Sequence, residues 1–511
     1  MTNNDFDLSQ DPLSKRDFLK GAATTLALSA LPFAARQALA AETWHLIIVG
    51  GGSAGLPAAI FAAERGARVL VIEGSHRIGG TLDRSTGQLS AAGTSIQAAK
   101  GIVDNPDLHF EDVLRISKNT VNPELVRLAV DNAADTLHWL LELGWRPLPE
   151  HPVKGSGHEA YLIPRYQWGA ENGMSVYRAL EPVVIRLLRE NKITILTETK
   201  VTGLIPGPKG SVAGVTARGA DGHSTDFRAA NVALTSGGAG GDPAAFERLN
   251  GAPLYCRMAY PYNHGAGVEL GESVGGYIRG KHNYLGNDGA VLLDAVYPSP
   301  YSAGVQTDPA QREPWEVFVN VAGKRFVKEG EASVDIREHA VLEQPDHRYW
   351  IVFDQKILDT APPLLSGWSR EQTQVAFGKH HMFFKGENLE QLARWTGIDP
   401  AGLQGSIARY NRLQAKGKDP DFGRTHMPLP VANAPFYAIR VQAFSILTYG
   451  GLAVDNQLRV ARKDGPPVPN LFAAGEVLGK GNLSGHAYVG GMSLTPALSF
   501  GRMISQRFIN V

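Results

Sequence analysis

Cysteine is almost absent from this chain, because its 511 residues include only one, Cys256. A single cysteine excludes an internal disulfide, a cysteine-ligated iron–sulfur cluster and a Cys-x-x-Cys-His haem attachment site. Any electron carrier beyond a first cofactor is therefore expected on another protein or on a diffusible acceptor. We expect Cys256 itself to be a small packed core residue.

Net charge is also absent, because 50 lysines and arginines balance 50 aspartates and glutamates. The sequence thus gives no indication of a nucleic-acid partner or of a polybasic membrane patch. The 15 histidines have no metal-ligand spacing, so no metal site is predicted. A length of 511 residues exceeds what one hydrophobic core usually supports, which favours two domains.

Residues 1–40 are predicted to form a targeting segment. Lys15 and Arg16 precede a mildly apolar run over 21–35, and Ala38-Leu39-Ala40 is typical of a signal cleavage site. The run is too short to span a bilayer. The pattern resembles a twin-arginine export signal with Lys15 at the first arginine position. We predict an exported, periplasmic protein whose mature chain begins near Ala41; an amphipathic N-terminal helix is the alternative.

The most informative segment combines a strand, a glycine-rich turn and a helix. The apolar run 46–49 predicts a buried strand, Gly50 permits a tight turn, and Gly52 lets a pyrophosphate approach the backbone. Gly55 lets the helix pack on the strand, and the N–H groups at the helix start face the phosphates. A second strand ends at Glu73, near the roughly 20-residue spacing expected for an acid that binds a ribose hydroxyl. A ligand-free glycine-rich turn is the alternative; the predicted cofactor contacts are Gly50, Gly52, Ser53, Ala54, Gly55 and Glu73.

Glycine-rich strand ends recur along the chain. A nicotinamide enzyme needs its fingerprint near one site, whereas the long FAD molecule needs a line of close backbone approaches, so this spread favours FAD. Pro496 suits the first turn of the last helix, where no N–H is required. The free N–H groups just before it would face the flavin and stabilise its anionic reduced form; an ordinary capped helix is the alternative. The further predicted cofactor contacts are Gly79, Gly80, Thr81, Gly87, Val201, Gly237, Gly238, Gly475, Glu476, Gly491, Ser493 and Leu494.

The middle of the chain has a different character. Residues 271–437 hold many aromatics, histidines and prolines and lack glycine-rich strand ends. The predicted fold class is therefore α/β with an α+β cap. Residues 41–270 and 438–511 form a Rossmann-like FAD-binding domain with a parallel sheet, and the cap domain of residues 271–437 interrupts it. Residues 105–143 are predicted to be helical.

These motifs, in this order, resemble the FAD-dependent fumarate reductase and succinate dehydrogenase flavoprotein family. The matching segments are Val49 to Gly55, Gly79 to Thr81, Thr235 to Gly238, Gly323 to Glu329, Gly450 to Leu452, Asn470 to Glu476 and Gly490 to Leu494. That family also includes 3-ketosteroid Δ1-dehydrogenases, urocanate reductase and cyclic-ketone desaturases. The resemblance implies a substrate held between the FAD domain and the cap. It also implies hydride transfer between a substrate carbon and flavin N5, coupled to proton transfer at the neighbouring carbon.

The chain departs from the fumarate reductase pattern at the positions that bind a diacid. Tyr488 stands where those enzymes carry an arginine, Ser333 stands where they carry a proton-donating arginine, and the segment 446–449 lacks their histidine. The groups that clamp two carboxylates are therefore missing. Fumarate and succinate are not the expected substrates.

Tyr488 instead resembles the ketosteroid dehydrogenase pattern. In that family this tyrosine donates to the substrate ketone, helped by a backbone N–H four residues on, which is that of Met492 here. Such a donor stabilises a developing enolate and so acidifies the adjacent C–H bond. A packed tyrosine between the domains is the alternative interpretation.

The general base is the role that the resemblance leaves open, because the family's base tyrosine falls at Ser333. Tyr166 and Tyr449 are the candidates, with Tyr161 behind them. A tyrosine can serve only if a nearby cation lowers its pKa, and Arg165 or Arg337 could supply that charge.

The sequence therefore predicts an exported FAD-dependent oxidoreductase that desaturates a ketone at its α,β bond, with a cyclic ketone favoured and the reverse enone reduction open. FAD is expected to bind without a covalent link, because residues 82–92 contain no histidine to carry one. The expected partners are a small ketone or enone and an external electron acceptor, a quinone or a redox protein. We expect no nucleic acid and no membrane-spanning segment. A periplasmic enoate reductase of the fumarate or urocanate type and a non-catalytic flavin-binding protein are the alternatives.

Overall fold

A seven-stranded sheet carries the glycine fingerprint at its centre. The computed structural model describes residues 33–509, so Lys15 and Arg16 and most of the predicted targeting segment lie outside the described residues. The elements before the cap are α1 (Phe33–Ala40), β1 (Thr43–Val49), α2 (Gly55–Glu64), β2 (Val69–Ile72), β3 (Leu89–Ser90), α3 (Ser95–Ala99), α4 (Pro106–Ile116), α5 (Pro123–Asp131), α6 (Ala133–Glu142), β4 (Tyr166–Gln167), α7 (Gly173–Arg189), β5 (Ile193–Leu196), β6 (Thr199–Pro206), β7 (Val212–Gly219), β8 (Ser224–Leu234), α8 (Pro243–Asn250), α9 (Ala266–Glu272) and β9 (Ile278–Arg279).

The order of this sheet is β5-β2-β1-β8-β7-β6. Strands β5, β2, β1 and β8 run parallel, and β6 and β7 extend the sheet as an antiparallel meander. Residues 46–49 of β1 are buried on both faces, as expected for a central parallel strand covered by helices. The helices predicted over 105–143 are α4, α5 and α6.

The cap is built on a second, antiparallel sheet of six strands. Its order is β11-β10-β15-β13-β12, with β14 also paired to β15. The elements of the cap are β10 (Ala290–Leu292), β11 (Tyr301–Gly304), β12 (Val317–Val319), α10 (Val334–Leu342), β13 (Arg348–Asp354), α11 (Gln355–Thr360), α12 (Arg370–Ala376), β14 (Phe383–Gly386), α13 (Leu389–Thr396), α14 (Pro400–Ala415) and β15 (Phe436–Gln442).

The chain then returns to the first sheet. Strand β17 pairs in parallel with β8, and the last helix packs on α2. The remaining elements are β16 (Gly451–Leu452), β17 (Leu471–Ala473) and α15 (Leu494–Met503), followed by a π-helical turn (Ile504–Phe508); short 3₁₀ turns include Gly80–Asp83, Lys281–Asn283, Glu476–Leu478 and Lys480–Asn482. The predicted α/β class with an interrupting cap is confirmed.

Two hydrophobic cores divide the chain at somewhat different points from the predicted 271 and 437. The segment 271–285 contributes Tyr284 and Leu285 to the core of the first sheet. The predicted boundary at 437 falls inside β15, and the second core continues to Phe444. The second core thus draws on residues from Ala290 to Phe444 and also on Tyr255 and Cys256, and the domain limits at 271 and 437 stay a prediction. Cys256 is a free, buried residue of this second core.

Helix α1 lies against the edge of the first domain. It contacts β8, and the guanidinium of Arg36, which is 3% exposed, pairs with the carboxylate of Asp221. None of the helices within residues 33–509 combines the length and apolar composition that crossing a bilayer requires.

Candidate active site

The turn between β1 and α2 is closed by two glycines. A side chain at Gly50, whose φ is +103°, would place its Cβ 2.7 Å from Ser236 Cα, just past the end of β8. A Cβ at Gly55 would lie 2.0 Å from the carbonyl oxygen of Gly50. Both positions therefore need glycine for the close packing of helix on strand, as the fingerprint predicts.

Between Gly52 and Gly80 the backbone leaves an open cradle. A Cβ at Gly52 would have only Gly80 Cα within 4 Å, at 3.9 Å. The cradle lies at the N-terminus of α2, where Ala54 offers no side-chain cap and the first turn holds no acidic residue. Free N–H groups and the positive end of the helix dipole suit a pyrophosphate at this position.

Glu73 borders the same cradle at the end of β2. Its carboxylate accepts hydrogen bonds from Gly51 N at 2.9 Å and Ser75 N at 2.8 Å, and the residue is 6% exposed. Each oxygen of a carboxylate can accept a further bond. The carboxylate is thus fixed where a ribose hydroxyl could donate to it.

A cavity of about 350 Å³ continues from this cradle between distant segments of the chain. Its walls come from the return segment between Gly475 and Ala497 and from these residues: Ser53, Thr81, Leu82, Arg84, Ser85, Thr86, Gln88, Met258, Ala259, Tyr260, Asn263, Ile446 and Leu447. The predicted site residues that it brings together are Ser53, Thr81, Gly475, Glu476, Tyr488, Gly491, Ser493 and Leu494. This line of contacts from the phosphate cradle into a cavity fits FAD, which is long and needs a close backbone approach along its length.

The other predicted contacts lie around this cavity rather than on its wall. Gly79 packs on Tyr177, Gly87 packs on the backbone of Asn172, and Val201 is a buried residue of β6. Gly237 lies against Asn263, and a Cβ at Gly238 would lie 2.5 Å from an oxygen of Glu476.

Glu476 forms part of the cavity wall while its carboxylate is tied to the protein. Its oxygens accept hydrogen bonds from Thr448 N at 3.0 Å and from Asn263 Nδ2 at 3.3 Å. Burial raises the pKa of this carboxyl, and the hydrogen bond from Thr448 opposes that rise.

The start of α15 also faces the cavity. Ser493 and Leu494 line it, Ser493 gives no side-chain cap to the helix, and Pro496 lies in the first turn. The N–H of Met492 donates to Val489 O at 3.2 Å, closing a turn. The expectation that this N–H is free to help Tyr488 is therefore corrected.

Tyr488 lines the cavity with its hydroxyl in a short hydrogen-bond chain. The hydroxyl donates to Gln88 Oε1 at 2.6 Å and lies 3.2 Å from the hydroxyl of Tyr166. The imidazole of His158 stacks on the ring at 4.3 Å, and Lys480 Nζ lies 4.6 Å from the ring centroid. Burial raises the pKa of Tyr488, so it remains a phenol that can donate a proton in a hydrogen bond.

The three tyrosines proposed as bases lie behind this wall. Tyr166 supports Tyr488 from behind, Tyr161 donates to Gly490 O at 2.6 Å, and the Tyr449 ring packs 5.6 Å from that of Tyr284. Burial raises the pKa of all three phenols. A phenol with a raised pKa is a poor proton acceptor near neutral pH.

The cations expected to acidify those tyrosines are paired with acids instead. Arg165 is fully buried and binds Asp104 at 2.8 Å and Asp112 at 2.9 Å. Arg337 binds Asp288 at 3.2 Å. Arg165 and Tyr449 are buried and do not line the cavity, so their predicted catalytic roles stay a prediction that the position of neither side chain supports.

Lys480 is a cavity residue that the sequence reasoning missed. It is 7% exposed, and within residues 33–509 its Nζ forms no hydrogen bond or ion pair. Burial lowers its pKa to about 8, against the opposing effect of the carboxylates of Glu338, Asp335 and Glu476. The available signal was a lysine between two glycines, Gly479 and Gly481, shortly after Glu476 in the glycine-rich return to the FAD domain.

Two carboxylates of the cap, those of Asp335 and Glu338, lie next to His158, whose ring stacks on Tyr488. His158 Nδ1 is 3.1 Å from Asp335 Oδ1 and 3.9 Å from Glu338 Oε2. These three side chains are the set within residues 33–509 whose ligand atoms approach closely enough to hold a metal ion. The contact of His158 with Asp335 is already a hydrogen-bonded pair, and burial raises the pKa of Glu338 well above its usual range.

Comparison with known proteins gives a consistent picture. A protein-family profile described as an FAD binding domain matches residues 45–494. The chain is 28% identical over 476 residues to fumarate reductase (cytochrome) of Shewanella frigidimarina, covering 92% of this chain and 78% of that protein. It is 24% identical over 540 residues to 4-oxocyclohexanecarboxylate 2-dehydrogenase of Sinomonas cyclohexanicum, covering 90% and 92%.

A solved structure shows the same fold. 3-Ketosteroid Δ1-dehydrogenase from Sterolibacterium denitrificans superposes with a TM-score of 0.69 at 20% identity, over 91% of this chain and 98% of that one.

Proposed function

This chain belongs to the FAD binding domain family and is an FAD-dependent oxidoreductase, and we propose that it catalyses the α,β-desaturation of a ketone, with a cyclic ketone as the favoured substrate. Gly50, Gly52 and Ser53 would hold the pyrophosphate of FAD and Glu73 the ribose, and the start of α15 would face the flavin, without a covalent link. FAD bound there supplies the hydride acceptor for desaturation and the hydride donor for the reverse enone reduction. The family resemblance inferred from the motifs is confirmed by the match.

The Tyr488 hydroxyl is the observation that carries this proposal. It is a phenol on the cavity wall, and its partners Gln88 and Tyr166 fix its orientation. A substrate carbonyl that takes the place of Gln88 as acceptor would receive the Tyr488 proton in a hydrogen bond. The hydroxyl of Tyr166 can then donate to the Tyr488 oxygen. A donor fixed before the reaction stabilises the enolate oxygen as its charge develops, and so makes the α-hydrogen more acidic.

The position that would hold a proton-donating arginine in a diacid reductase has a structural task here. Ser333 is the N-cap of α10, where its hydroxyl accepts a hydrogen bond from Ile336 N at 3.4 Å. This observation supports a ketone over a dicarboxylate as the substrate. The relative of Sinomonas cyclohexanicum, by its name, acts on a ring ketone, which favours the same direction.

Anaerobic mixing of the oxidised holoenzyme with cyclohexanone tests the proposal. We expect the ketone to bleach the visible absorbance of oxidised FAD in the wild type. Tyr488→Phe should lower kcat/KM by about 10² to 10³, the usual cost of removing one oxyanion donor. Tyr262→Phe removes a phenol that is 40% exposed and serves as the matched control with no expected change. Bleaching that is equally fast in Tyr488→Phe would contradict the role of the phenol.

An enoate reductase of the fumarate or urocanate type is the second candidate, favoured by the identity to fumarate reductase. Its signature is rapid reoxidation of the reduced enzyme by fumarate or urocanate, with no response of the oxidised enzyme to ketones. A holoenzyme whose flavin is never reduced or reoxidised by any of these compounds would instead indicate a flavin-binding protein without catalysis.

Export through a twin-arginine-like signal and electron transfer to an external quinone or redox protein complete the proposal. Lys15, Arg16 and the Ala38-Leu39-Ala40 cleavage motif support export. Cleavage after Ala40 would remove α1 and with it the partner of Asp221. The lack of a second cysteine supports an acceptor outside this chain.

A further inference from the structure

The backbone around Lys480 is fixed on both sides of the residue. Its N–H donates to Thr448 O at 2.8 Å, and its carbonyl oxygen accepts from Leu483 N at 3.0 Å and Ser484 N at 2.9 Å. The residue begins a 3₁₀ turn and its side chain extends to the cavity wall. The fixed backbone anchors the base of this side chain, and the contacts of Nζ with aromatic rings give the position of the amine.

The amine itself has no partner in the described part of the chain. Lysine is almost never fully buried unless it is paired, yet Lys480 is 7% exposed and its Nζ contacts are with aromatic rings. Those rings are Tyr488, with the centroid 4.6 Å away, and Tyr449, at 5.5 Å. The amine therefore lies beside the phenol proposed to hold the ketone oxygen and is free to contact a ligand in the cavity.

The charged groups that face Lys480 come from three elements. Glu338 and Asp335 approach from α10, and Glu476 from its own loop. His158 lies beyond, on the Tyr488 ring, where it pairs with Asp335. Burial raises the pKa of Glu338 and of Glu476, so these carboxyls only partly offset the burial that favours the neutral amine of Lys480. Glu338 and Asp335 lie where they stabilise an ammonium once it forms.

We propose that the Lys480 amine is the base that takes the α-proton of a ketone whose oxygen is held by Tyr488, an inference that rests on the proposed function. In this step the α C–H bond breaks and an N–H bond forms on Nζ, which becomes an ammonium. The electron pair of the C–H bond stays on the substrate as an enolate, and the Tyr488 hydroxyl donates to the enolate oxygen. Only a proton moves, so the step needs no oxidant and can be observed separately from turnover.

Hydrogen–deuterium exchange on cyclohexanone tests this role. Holoenzyme whose FAD has been reduced beforehand, kept anaerobic in D₂O, has no hydride acceptor, so it can exchange the α-hydrogens without desaturating the ketone. NMR follows the loss of the α-proton signal. The wild type should exchange well above the buffer rate, and the rate should rise with pH to about 8, where the amine loses its proton, and then level off.

Three variants make the test specific. Lys480→Met, which is apolar and of similar length, should lose about 10²-fold or more of the exchange rate, the usual contribution of a general base. Lys480→Arg should lose as much, because a guanidinium keeps the charge and cannot give up its proton. Lys281→Met removes an exposed lysine from another 3₁₀ turn and should leave the rate unchanged. Retained flavin absorbance shows that each variant is folded and loaded.

The outcomes separate the two proposals. Lys480→Arg with wild-type exchange and an unchanged pH profile would show that the charge matters and would overturn the base. Intact exchange in Lys480→Met would also overturn the base, and it would leave the proposed desaturation of ketones by the wild type unaffected. If the wild type neither desaturates cyclohexanone nor exchanges its α-hydrogens, both the proposed function and the proposed base are overturned. Restoration of exchange in Lys480→Ala by added methylamine would support the base, because a structural role would not respond to a soluble amine.

Discussion

Arg165 and Lys480 are both buried cations close to the tyrosine cluster, and their surroundings are opposite. Arg165 is enclosed by two carboxylates, those of Asp104 and Asp112, and does not line the cavity of the candidate site. Lys480 has no ion-pair partner within residues 33–509 and lies on a cavity wall. A buried charge that is paired on all sides maintains the fold, whereas one left unpaired beside a cavity lowers stability and is available for chemistry.

The largest expected effect comes from breaking the paired site. Arg165→Met would leave the carboxylate of Asp104, which is 0% exposed, buried without a cation, and would leave Asp112, 2% exposed, with Arg115 alone. We expect a loss of about 3–5 kcal/mol in the free energy of unfolding. Denaturant unfolding followed by tryptophan fluorescence measures it. A variant as stable as the wild type would mean that Arg165 does not hold this region together.

The same change at Lys480 should act in the opposite direction. The lysine pKa falls from 10.5 to about 8 on folding, so below pH 8 the fold must bury a charge that the unfolded chain keeps in water. Lys480→Met should therefore raise the free energy of unfolding at pH 7 by at most about 3 kcal/mol, since one pKa unit corresponds to about 1.4 kcal/mol.

The pH dependence gives the sign of this effect. Between pH 8 and 10.5 the unfolded state binds more protons at Lys480 than the folded state, so the wild type gains stability as pH rises. The advantage of Lys480→Met should shrink across this window. Unfolding curves of the two proteins at pH 7 and pH 10 measure it, and a gap that stays constant would contradict the depressed pKa.

The smallest expected effect concerns Tyr166, which follows Arg165 in the chain and contacts Tyr488. Tyr166→Phe removes the hydroxyl that lies 3.2 Å from that of Tyr488 and leaves the aromatic packing in place. One hydrogen bond contributes about 1 kcal/mol, so kcat/KM for the ketone should fall about fivefold. A loss of kcat/KM as large as that expected for Tyr488→Phe would indicate that Tyr166 acts directly on the substrate. Steady-state rates of Tyr166→Phe and Tyr488→Phe, measured together, distinguish the two cases.

The elements that sequence reasoning predicted well are those with a strong local signal. The strand 46–49, the glycines of the first turn and the acid Glu73 lie within one short unit, and their spacing alone specifies it. Tyr488, two residues from the paired glycines that adjoin the start of α15, lines the cavity, and its catalytic role stays a prediction.

The predicted site residues that the structure places off the cavity wall are positioned by long-range contacts. Tyr449 precedes Gly450 in the sequence, yet its ring packs on Tyr284 rather than reaching the cavity. Arg165 adjoins Tyr166, yet its guanidinium points to Asp104, which is 61 residues away. Lys480 gave only the weak signal of a lysine flanked by glycines. Side-chain direction and partner identity follow from tertiary packing, and no local spacing encodes them.

The pairing of β17 with β8 has a consequence for synthesis of the protein. The strand that completes the central sheet and the helix α15 that forms one wall of the cavity follow the cap in the chain. A nascent polypeptide that has emerged only as far as the cap therefore holds the phosphate cradle without the opposite wall. Stable cofactor loading is therefore expected to await the emergence of β17 and α15 from the ribosome, long after the phosphate cradle has been synthesised.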